Sequence, residues 1–168
     1  MPQAFPRRAP RPASRIPRPA SRAPRPASRA TFPTSVNELV FFYGTLMAGF
    51  DRRRRAGIDD KLRYIGRGAI AGALFDLGLY PALVAATDGR VWGEVYEMTD
   101  APVVLAALDD IEGYRPDDPD SSLYLRAQTE VTLPDGSQAQ AWAYFYNAPL
   151  GKAARIPSGD YLEHVKVR

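Results

Sequence analysis

Two short stretches of the chain carry the residues that could do chemistry. The first follows a buried apolar run and consists of Tyr43, Gly44, Thr45 and Leu46. Backbone N–H groups that converge at such a glycine turn can hold an anionic or carbonyl oxygen. The second is Glu112, a carboxylate that could move protons beside that oxygen. Together, the turn and the carboxylate would form a minimal acid/base site.

The composition excludes most other catalytic chemistry. The 168 residues include no cysteine, which excludes a thiol nucleophile, disulfides and thiolate metal sites. The single histidine, His164, is expected to be an exposed helix residue near the C-terminus. Because the only histidine is expected in that exposed position, the chain lacks the parts of a Ser/His/Asp relay or of a multi-histidine metal site. We therefore expect no metal and no cofactor.

Other charged residues compete with Glu112 for the acid/base role. Glu94 and Glu97 are the rival carboxylates. They are three positions apart, so on a regular strand they face opposite sides and only one can point inward. The four arginines at 52–55 are more typical of a solvated helix face than of a ligand clamp.

The apolar pattern places these candidates on a mixed α/β domain with many strands. It predicts a buried strand over 40–43 and a long bent strand, or a strand pair with a bulge, over 63–77. An extended run follows over 90–98. Alternating strands over 124–132 and 138–146 are joined by a hairpin loop that contains proline, aspartate and glycine.

The pattern also predicts a few short helices. One carries the arginines within a loop over 44–60, and a second begins at the N-cap Asp100 and ends within 109–113. Ser158 is expected to cap a C-terminal helix that runs to about Lys166. Many strands, glycine bends and few helices favour a sheet that curls toward a barrel.

Residues 1–36 differ from the rest of the chain. They contain three copies of a seven-residue arginine and proline unit, which predicts a disordered tail with polyproline II character ahead of a folded domain over 37–168. The tail holds eight of the 22 basic residues and no acidic residue. The remainder therefore carries 14 bases against 19 acids, a net charge of −5.

The tail could be dispensable, could make a weak electrostatic contact with nucleic acid or anionic lipid, or could be a proline-rich docking segment. Its repeats have no interleaved aromatic residues on which bases could stack, so we do not expect sequence-specific nucleic-acid binding. No apolar stretch is long enough for a membrane span, and no secretory signal is recognisable. We expect a cytoplasmic protein without membrane contact.

Five sequence motifs occur in an order that is typical of one family. They lie at 42–46, 74–81, 91–96, 108–114 and 156–161. In this order they resemble the gamma-glutamylcyclotransferase-like family, also called AIG2-like. The resemblance extends over residues 38–165 and leaves out the arginine and proline tail.

The resemblance implies a fold and a reaction. The fold is an α/β (mixed α+β) domain, a small closed or nearly closed β-barrel with short flanking helices and a pocket at one end. The reaction is an acyltransferase-type or lyase-type cyclisation of a small γ-glutamyl substrate, whose α-amine attacks the γ-carbonyl to give 5-oxoproline and a free amine or amino acid. It implies Glu112 as acid/base, a glutamyl-binding turn at Tyr43, Gly44, Thr45 and Leu46, and pocket tyrosines at Tyr124 and Tyr144.

Two alternatives stay open at this point. Tyr43, Tyr124 and Tyr144 could equally be barrel-core residues whose hydroxyls merely find partners. The whole domain could also be a non-catalytic module that binds a small molecule on the same barrel, because a fold does not fix a function.

An acidic, proline-broken loop fills residues 114–123. We expect it to stand over the mouth of the pocket and to help choose the leaving group. Its negative charge would disfavour anionic substrates such as glutathione and favour a neutral or cationic amine.

Overall fold

The computed structural model describes residues 38–167. Eight strands occur in this part of the chain: β1 (Leu39–Phe42), β2 (Leu62–Ala71), β3 (Ala73–Asp76), β4 (Pro81–Val84), β5 (Arg90–Met98), β6 (Tyr124–Thr132), β7 (Gln138–Tyr146) and β8 (Ala154–Arg155). The helices are α1 (Arg52–Arg55), α2 (Ala101–Glu112) and α3 (Tyr161–Lys166), with 3-10 turns at Asp59–Lys61 and Pro119–Ser121.

Five strands close into a barrel in the order β1, β5, β2, β6, β7. The barrel closes because β1 pairs antiparallel with β5 on one side and parallel with β7 on the other. Its packed residues include Val95 and Val131, which are fully buried. A Cβ at Gly68 would come within 2.8 Å of the Val131 side chain, so the close packing there requires glycine. The predicted mixed barrel is confirmed.

The strands predicted over 90–98, 124–132 and 138–146 are confirmed with those bounds as β5, β6 and β7. The segment predicted as a bent strand or strand pair becomes β2 and β3, and β2 has a register shift between Tyr64 and Gly66. β3 leaves the barrel and joins a separate three-stranded sheet in the order β4, β3, β8.

Helix α2 begins and ends as the sequence predicts. The Asp100 side chain caps it by accepting a hydrogen bond from the backbone N–H of Val103. Gly113 ends it in the left-handed conformation, with φ of 63°. Val104 and Leu108 are fully buried in the core. This packing fixes the C-terminal end of α2, where Glu112 is the last helical residue.

The end of the chain corrects two predictions. The cap of α3 is Asp160, which accepts from the N–H groups of Leu162 and Glu163, whereas Ser158 accepts a hydrogen bond from the N–H of Asp160. His164 is not simply exposed, because its side chain is 28% accessible and its Nε2 lies 2.8 Å from Oδ2 of Asp76. A contact across 88 positions depends on tertiary packing, which local helix periodicity does not report.

Residues 1–36, where the disordered tail is predicted, lie outside the described residues. Within 38–167, no helix has the length and apolar character that crossing a bilayer would require.

Candidate active site

A cavity brings together every site residue that the sequence singled out. It holds about 370 Å³ of space free of protein atoms, part of it open to solvent. Arg52, Tyr80 and Pro81 lie in its wall beside apolar residues of β1. The remaining lining residues are the seven proposed above: Tyr43, Gly44, Thr45, Leu46, Glu112, Tyr124 and Tyr144.

The glycine turn forms one wall of the cavity. The N–H of Met47 donates to the carbonyl oxygen of Gly44 at 3.0 Å and closes the turn. A Cβ at Gly44 would lie 2.6 Å from Cγ of Pro81, so only glycine lets the backbone approach this proline. The N–H groups of Gly44, Thr45 and Leu46 donate to no acceptor within residues 38–167. Three unpaired donors in one cavity wall can receive an anionic oxygen.

Glu112 is half-buried at the end of α2 and reaches the same cavity. Its carboxyl accepts no hydrogen bond from any group in the described part of the chain. Removal from water raises the pKa of Glu112 from its ordinary value of 4.5 to about 7, and the positive charge of Arg52 opposes that rise. A carboxyl with a pKa near neutrality can both accept and donate a proton under physiological conditions.

Arg52 corrects the prediction of a solvated arginine face. Arg54 and Arg55 are exposed, as expected, but Arg52 is half-buried and lines the cavity. Its Nη1 donates to Oγ1 of Thr45 at 2.9 Å. The sequence does not separate these arginines, because α1 is a single turn whose orientation is set by its packing.

The three tyrosines have the features of both alternatives that the sequence left open, pocket residues and core residues with bonded hydroxyls. Their rings line the cavity, and their hydroxyls donate to protein acceptors. Tyr43 donates to the carbonyl of Tyr144 at 2.6 Å, and Tyr124 donates to the carbonyl of Pro81 at 2.9 Å. Burial raises the pKa of all three hydroxyls well above 10, so they stay protonated.

The third hydroxyl leads to a residue for which the sequence suggested no role. Tyr144 donates to Oδ1 of Asp109 at 2.7 Å, and Arg126 binds Oδ2 of the same carboxylate at 3.0 Å. Asp109 lies three positions before Glu112 on α2, so the two carboxylates occupy neighbouring turns of the helix. The network joins the end of α2 to β6 and β7. Its only sequence signal was that Asp109 belongs to a family motif.

The rival carboxylates are both buried, so exposure does not tell them apart. Glu94 is 7% exposed and Glu97 is 4% exposed. Glu94 accepts hydrogen bonds from the N–H of Ala48 and the hydroxyl of Tyr96, both at 2.8 Å. Glu97 forms an ion pair with Arg63. Both faces of this part of β5 are covered, so strand alternation alone could not choose between the two residues.

The acidic loop is held by hydrogen bonds within the loop and to Asn147. Ser122 is buried and its Oγ accepts from the N–H of Arg115 at 2.8 Å, while its carbonyl accepts from the side chain of Asn147. No residue of 114–123 lines the cavity. The predicted choice of the leaving group by this loop therefore has no contact to support it. Across the described residues, no three histidine, cysteine or acidic side chains cluster in a way that could hold a metal ion.

Known proteins resemble this chain in sequence. A family model described as gamma-glutamyl cyclotransferase, AIG2-like, matches residues 40–163. A protein of Methanocaldococcus jannaschii, which carries a provisional name as a gamma-glutamylcyclotransferase, is 31% identical over 130 residues. That match covers 76% of this chain and 98% of the archaeal protein.

Solved structures share the fold. The crystal structure of YkqA from Bacillus subtilis has a TM-score of 0.58 at 26% identity and is matched over 78% of this chain. This chain spans 42% of YkqA. An AIG2-like protein from Mus musculus has a TM-score of 0.53 at 25% identity, over 67% of this chain and 79% of the mouse protein.

Proposed function

The chain belongs to the gamma-glutamyl cyclotransferase, AIG2-like family, and from this premise we propose that it cleaves γ-glutamyl amides by cyclising the glutamyl group. The products are 5-oxoproline and a free amine or amino acid. One observation carries the proposal: Glu112 accepts no hydrogen bond from the described residues, is partly removed from water, and shares a cavity with three N–H groups that have no acceptor among those residues.

The reaction needs little from the protein beyond folding the substrate. The α-amine nitrogen attacks the γ-carbonyl carbon, forms the new C–N bond and leaves negative charge on the carbonyl oxygen. Because both reacting groups belong to one molecule, holding it bent supplies an effective molarity of about 10⁵ to 10⁸ M. No nucleophile from the protein is required.

Proton transfer falls to Glu112. Its carboxylate takes a proton from the α-ammonium group, which frees the attacking lone pair. The same carboxyl then gives that proton to the departing nitrogen as the carbonyl re-forms and the original amide bond breaks. The second proton that the attacking nitrogen loses on becoming a lactam N–H passes to the released amine or to water, so the protein ends in its starting state. A pKa of about 7 suits both steps, and a positioned acid/base contributes about 10² to 10⁴ in rate.

The glycine turn supplies the electrostatic stabilisation of the negative charge in this reaction. Its unpaired N–H groups would bind the substrate's carboxylate or the developing oxyanion, which are the anionic oxygens of this reaction. The ring faces of Tyr43, Tyr124 and Tyr144 would form the walls that exclude water.

The test is release of 5-oxoproline by the full chain, followed by chromatography over a panel of γ-glutamyl amines, γ-glutamyl amino acids and glutathione. Glu112→Gln keeps the size of the side chain and removes its proton transfer, so turnover should fall by about 10² to 10⁴. Asp110→Asn, an exposed neighbour on the same helix, is the matched control and should leave turnover unchanged. Wild-type turnover by Glu112→Gln would overturn the assignment.

A non-catalytic binding module is the second candidate. It is favoured by the fact that the hydroxyls of Tyr43, Tyr124 and Tyr144 all donate to protein acceptors, so these three side chains are already held in place without substrate. This candidate predicts saturable binding of 5-oxoproline with no turnover of any member of the panel.

The charge of the acidic loop motivates a finer proposal about the leaving group. If residues 114–123 repel anions, γ-glutamyl amines should be turned over faster than glutathione, and the difference should shrink from low to moderate salt. A preference for glutathione would remove this proposal and leave the cyclisation itself intact.

A further inference from the structure

Arg52 is the one cation among the described residues that line the cavity, and Glu112 is the one carboxylate. The positive charge of Arg52 acts on Glu112 strongly enough to oppose the rise in its pKa. The charges of Arg52 and Glu112 therefore interact with each other. The acid/base chemistry proposed above accounts for Glu112 and leaves Arg52 without a role.

The bonding of Arg52 differs from that of other half-buried arginines. Burial of a cation is costly unless a carboxylate or several acceptors surround it. Each of three comparable arginines in the described part of the chain forms an ion pair with an aspartate: Arg53 with Asp59, Arg67 with Asp160, and Arg126 with Asp109. Arg52 has no carboxylate within ion-pairing distance there, and it donates instead to the neutral hydroxyl of Thr45.

The neighbourhood of Arg52 is an incomplete anion site. Thr45, which accepts the hydrogen bond of Arg52, belongs to the turn whose N–H groups have no acceptor among the described residues. A guanidinium has five donors in a planar fork that matches a carboxylate, and one hydrogen bond to a hydroxyl leaves most of them unused. The turn and Arg52 line the same cavity, and none of their N–H groups donates to a carboxylate of the described residues.

We propose that Arg52 and the glycine turn form a carboxylate-binding subsite, and that Arg52 makes the protein selective for substrates that carry a carboxylate next to a reacting nitrogen. This inference rests on the proposed cyclisation. Two groups of a γ-glutamyl substrate have that chemistry: the α-carboxylate of the glutamyl part, and the carboxylate of a leaving amino acid.

The first arm of the test measures binding and needs no turnover. Calorimetry with the full chain compares 5-oxoproline, which carries the glutamyl carboxylate, with 2-pyrrolidinone, the same lactam without it. Arg52→Gln should weaken binding of 5-oxoproline about 10- to 100-fold, the usual worth of a charge-assisted hydrogen bond. It should leave binding of 2-pyrrolidinone unchanged.

The second arm measures turnover of γ-glutamylglycine against γ-glutamylmethylamine, which differ by the carboxylate on the leaving group. If Arg52 recognises that carboxylate, Arg52→Gln should lower kcat/KM about 10- to 100-fold for the glycine compound only. Loss of discrimination in either arm supports the subsite and says which carboxylate it binds. Equal discrimination by wild type and Arg52→Gln in both arms overturns it.

Two further variants separate carboxylate recognition from effects of net charge and of turn support. Arg54→Gln deletes the same charge from an exposed position on α1, so it controls for net charge and should behave as wild type. Arg52→Lys keeps the charge and loses the planar fork, and should retain part of the discrimination. If Arg52 merely supported the turn, Arg52→Gln would weaken binding of the neutral lactam as much as binding of the anion.

The outcomes separate this inference from the proposed function. Arg52-dependent binding of 5-oxoproline without turnover of any substrate would support the subsite and refute the cyclisation. Turnover of the substrates, with binding in the first arm and turnover in the second that are both indifferent to Arg52, would refute the subsite and keep the cyclisation. A wild-type chain that binds 5-oxoproline no better than 2-pyrrolidinone, and that turns over γ-glutamylglycine no faster than γ-glutamylmethylamine, also refutes the subsite.

Discussion

Glu94 and Glu112 are both associated with the glycine turn, yet their surroundings differ in kind. Glu94 is buried and accepts two hydrogen bonds, from Ala48 and Tyr96. Glu112 is half-buried and accepts none within the described residues. A carboxylate with two fixed donors is held in one position and serves the architecture. A carboxylate without donors, partly removed from water, is free to change its protonation state.

The hydrogen bonds of Glu94 connect the glycine turn to the pair of strands β1 and β5. Glu94 lies on β5 opposite Phe42, the last residue of β1 before the turn. Its bond to the N–H of Ala48 therefore ties the far end of the turn back to the strand pair from which the turn begins. This tether holds Gly44, Thr45 and Leu46 in place, although their own N–H groups have no acceptor within residues 38–167.

The largest expected effect concerns Glu112 and the way in which the stability of the fold depends on pH. The pKa of Glu112 is raised to about 7 in the folded protein from 4.5, so the folded state holds its proton more tightly than the unfolded state. This group therefore destabilises the fold as pH rises from 4.5 to 7, by about 3 kcal/mol in all.

Urea unfolding of wild type and Glu112→Gln from pH 4 to pH 8 measures this penalty. The stability advantage of the glutamine variant should grow by about 3 kcal/mol across that range, because an amide never ionises. Asp110→Asn, at an exposed position, should show no such growth. A difference between wild type and Glu112→Gln that is independent of pH would show that Glu112 is not removed from water.

The effect of removing Glu94 should be smaller and of opposite sign. Glu94→Ala leaves the Ala48 N–H and the Tyr96 hydroxyl without an acceptor and should lower the free energy of unfolding by about 1 to 3 kcal/mol. Glu130→Ala removes an exposed glutamate from β6 and is the control, with a change within about 0.5 kcal/mol. If Glu94→Ala changed the free energy of unfolding no more than Glu130→Ala does, the hydrogen bonds of Glu94 would not stabilise the fold.

Much of the barrel could be predicted because its long strands carry a local signal. β5, β6 and β7 have nine residues each, bounded by turn residues, and helix α2 lies between a capping aspartate and a glycine. β4 and β8, with four and two residues, were missed. Strands this short have no usable periodicity, and pairing with β3 creates them.

The residues of the site likewise divide into those that the sequence could predict and those that it could not. The turn and Glu112 could be located because their residue types are unusual together and because the motifs resemble a family. The position of Arg52 in the cavity, the contact of His164 with Asp76, and the burial of both Glu94 and Glu97 could not be predicted. Each depends on which other element covers the residue, and a local pattern does not contain that information.

The most direct test of the central claim is the titration of Glu112 itself. In the ¹³C-labelled full chain, the side-chain carboxyl resonance of Glu112 can be identified by its absence from Glu112→Gln. We predict a titration midpoint at about pH 7, because the cavity removes the carboxyl from water and no described residue donates a hydrogen bond to it. A midpoint near 4.5, the ordinary value for glutamate, would contradict the account.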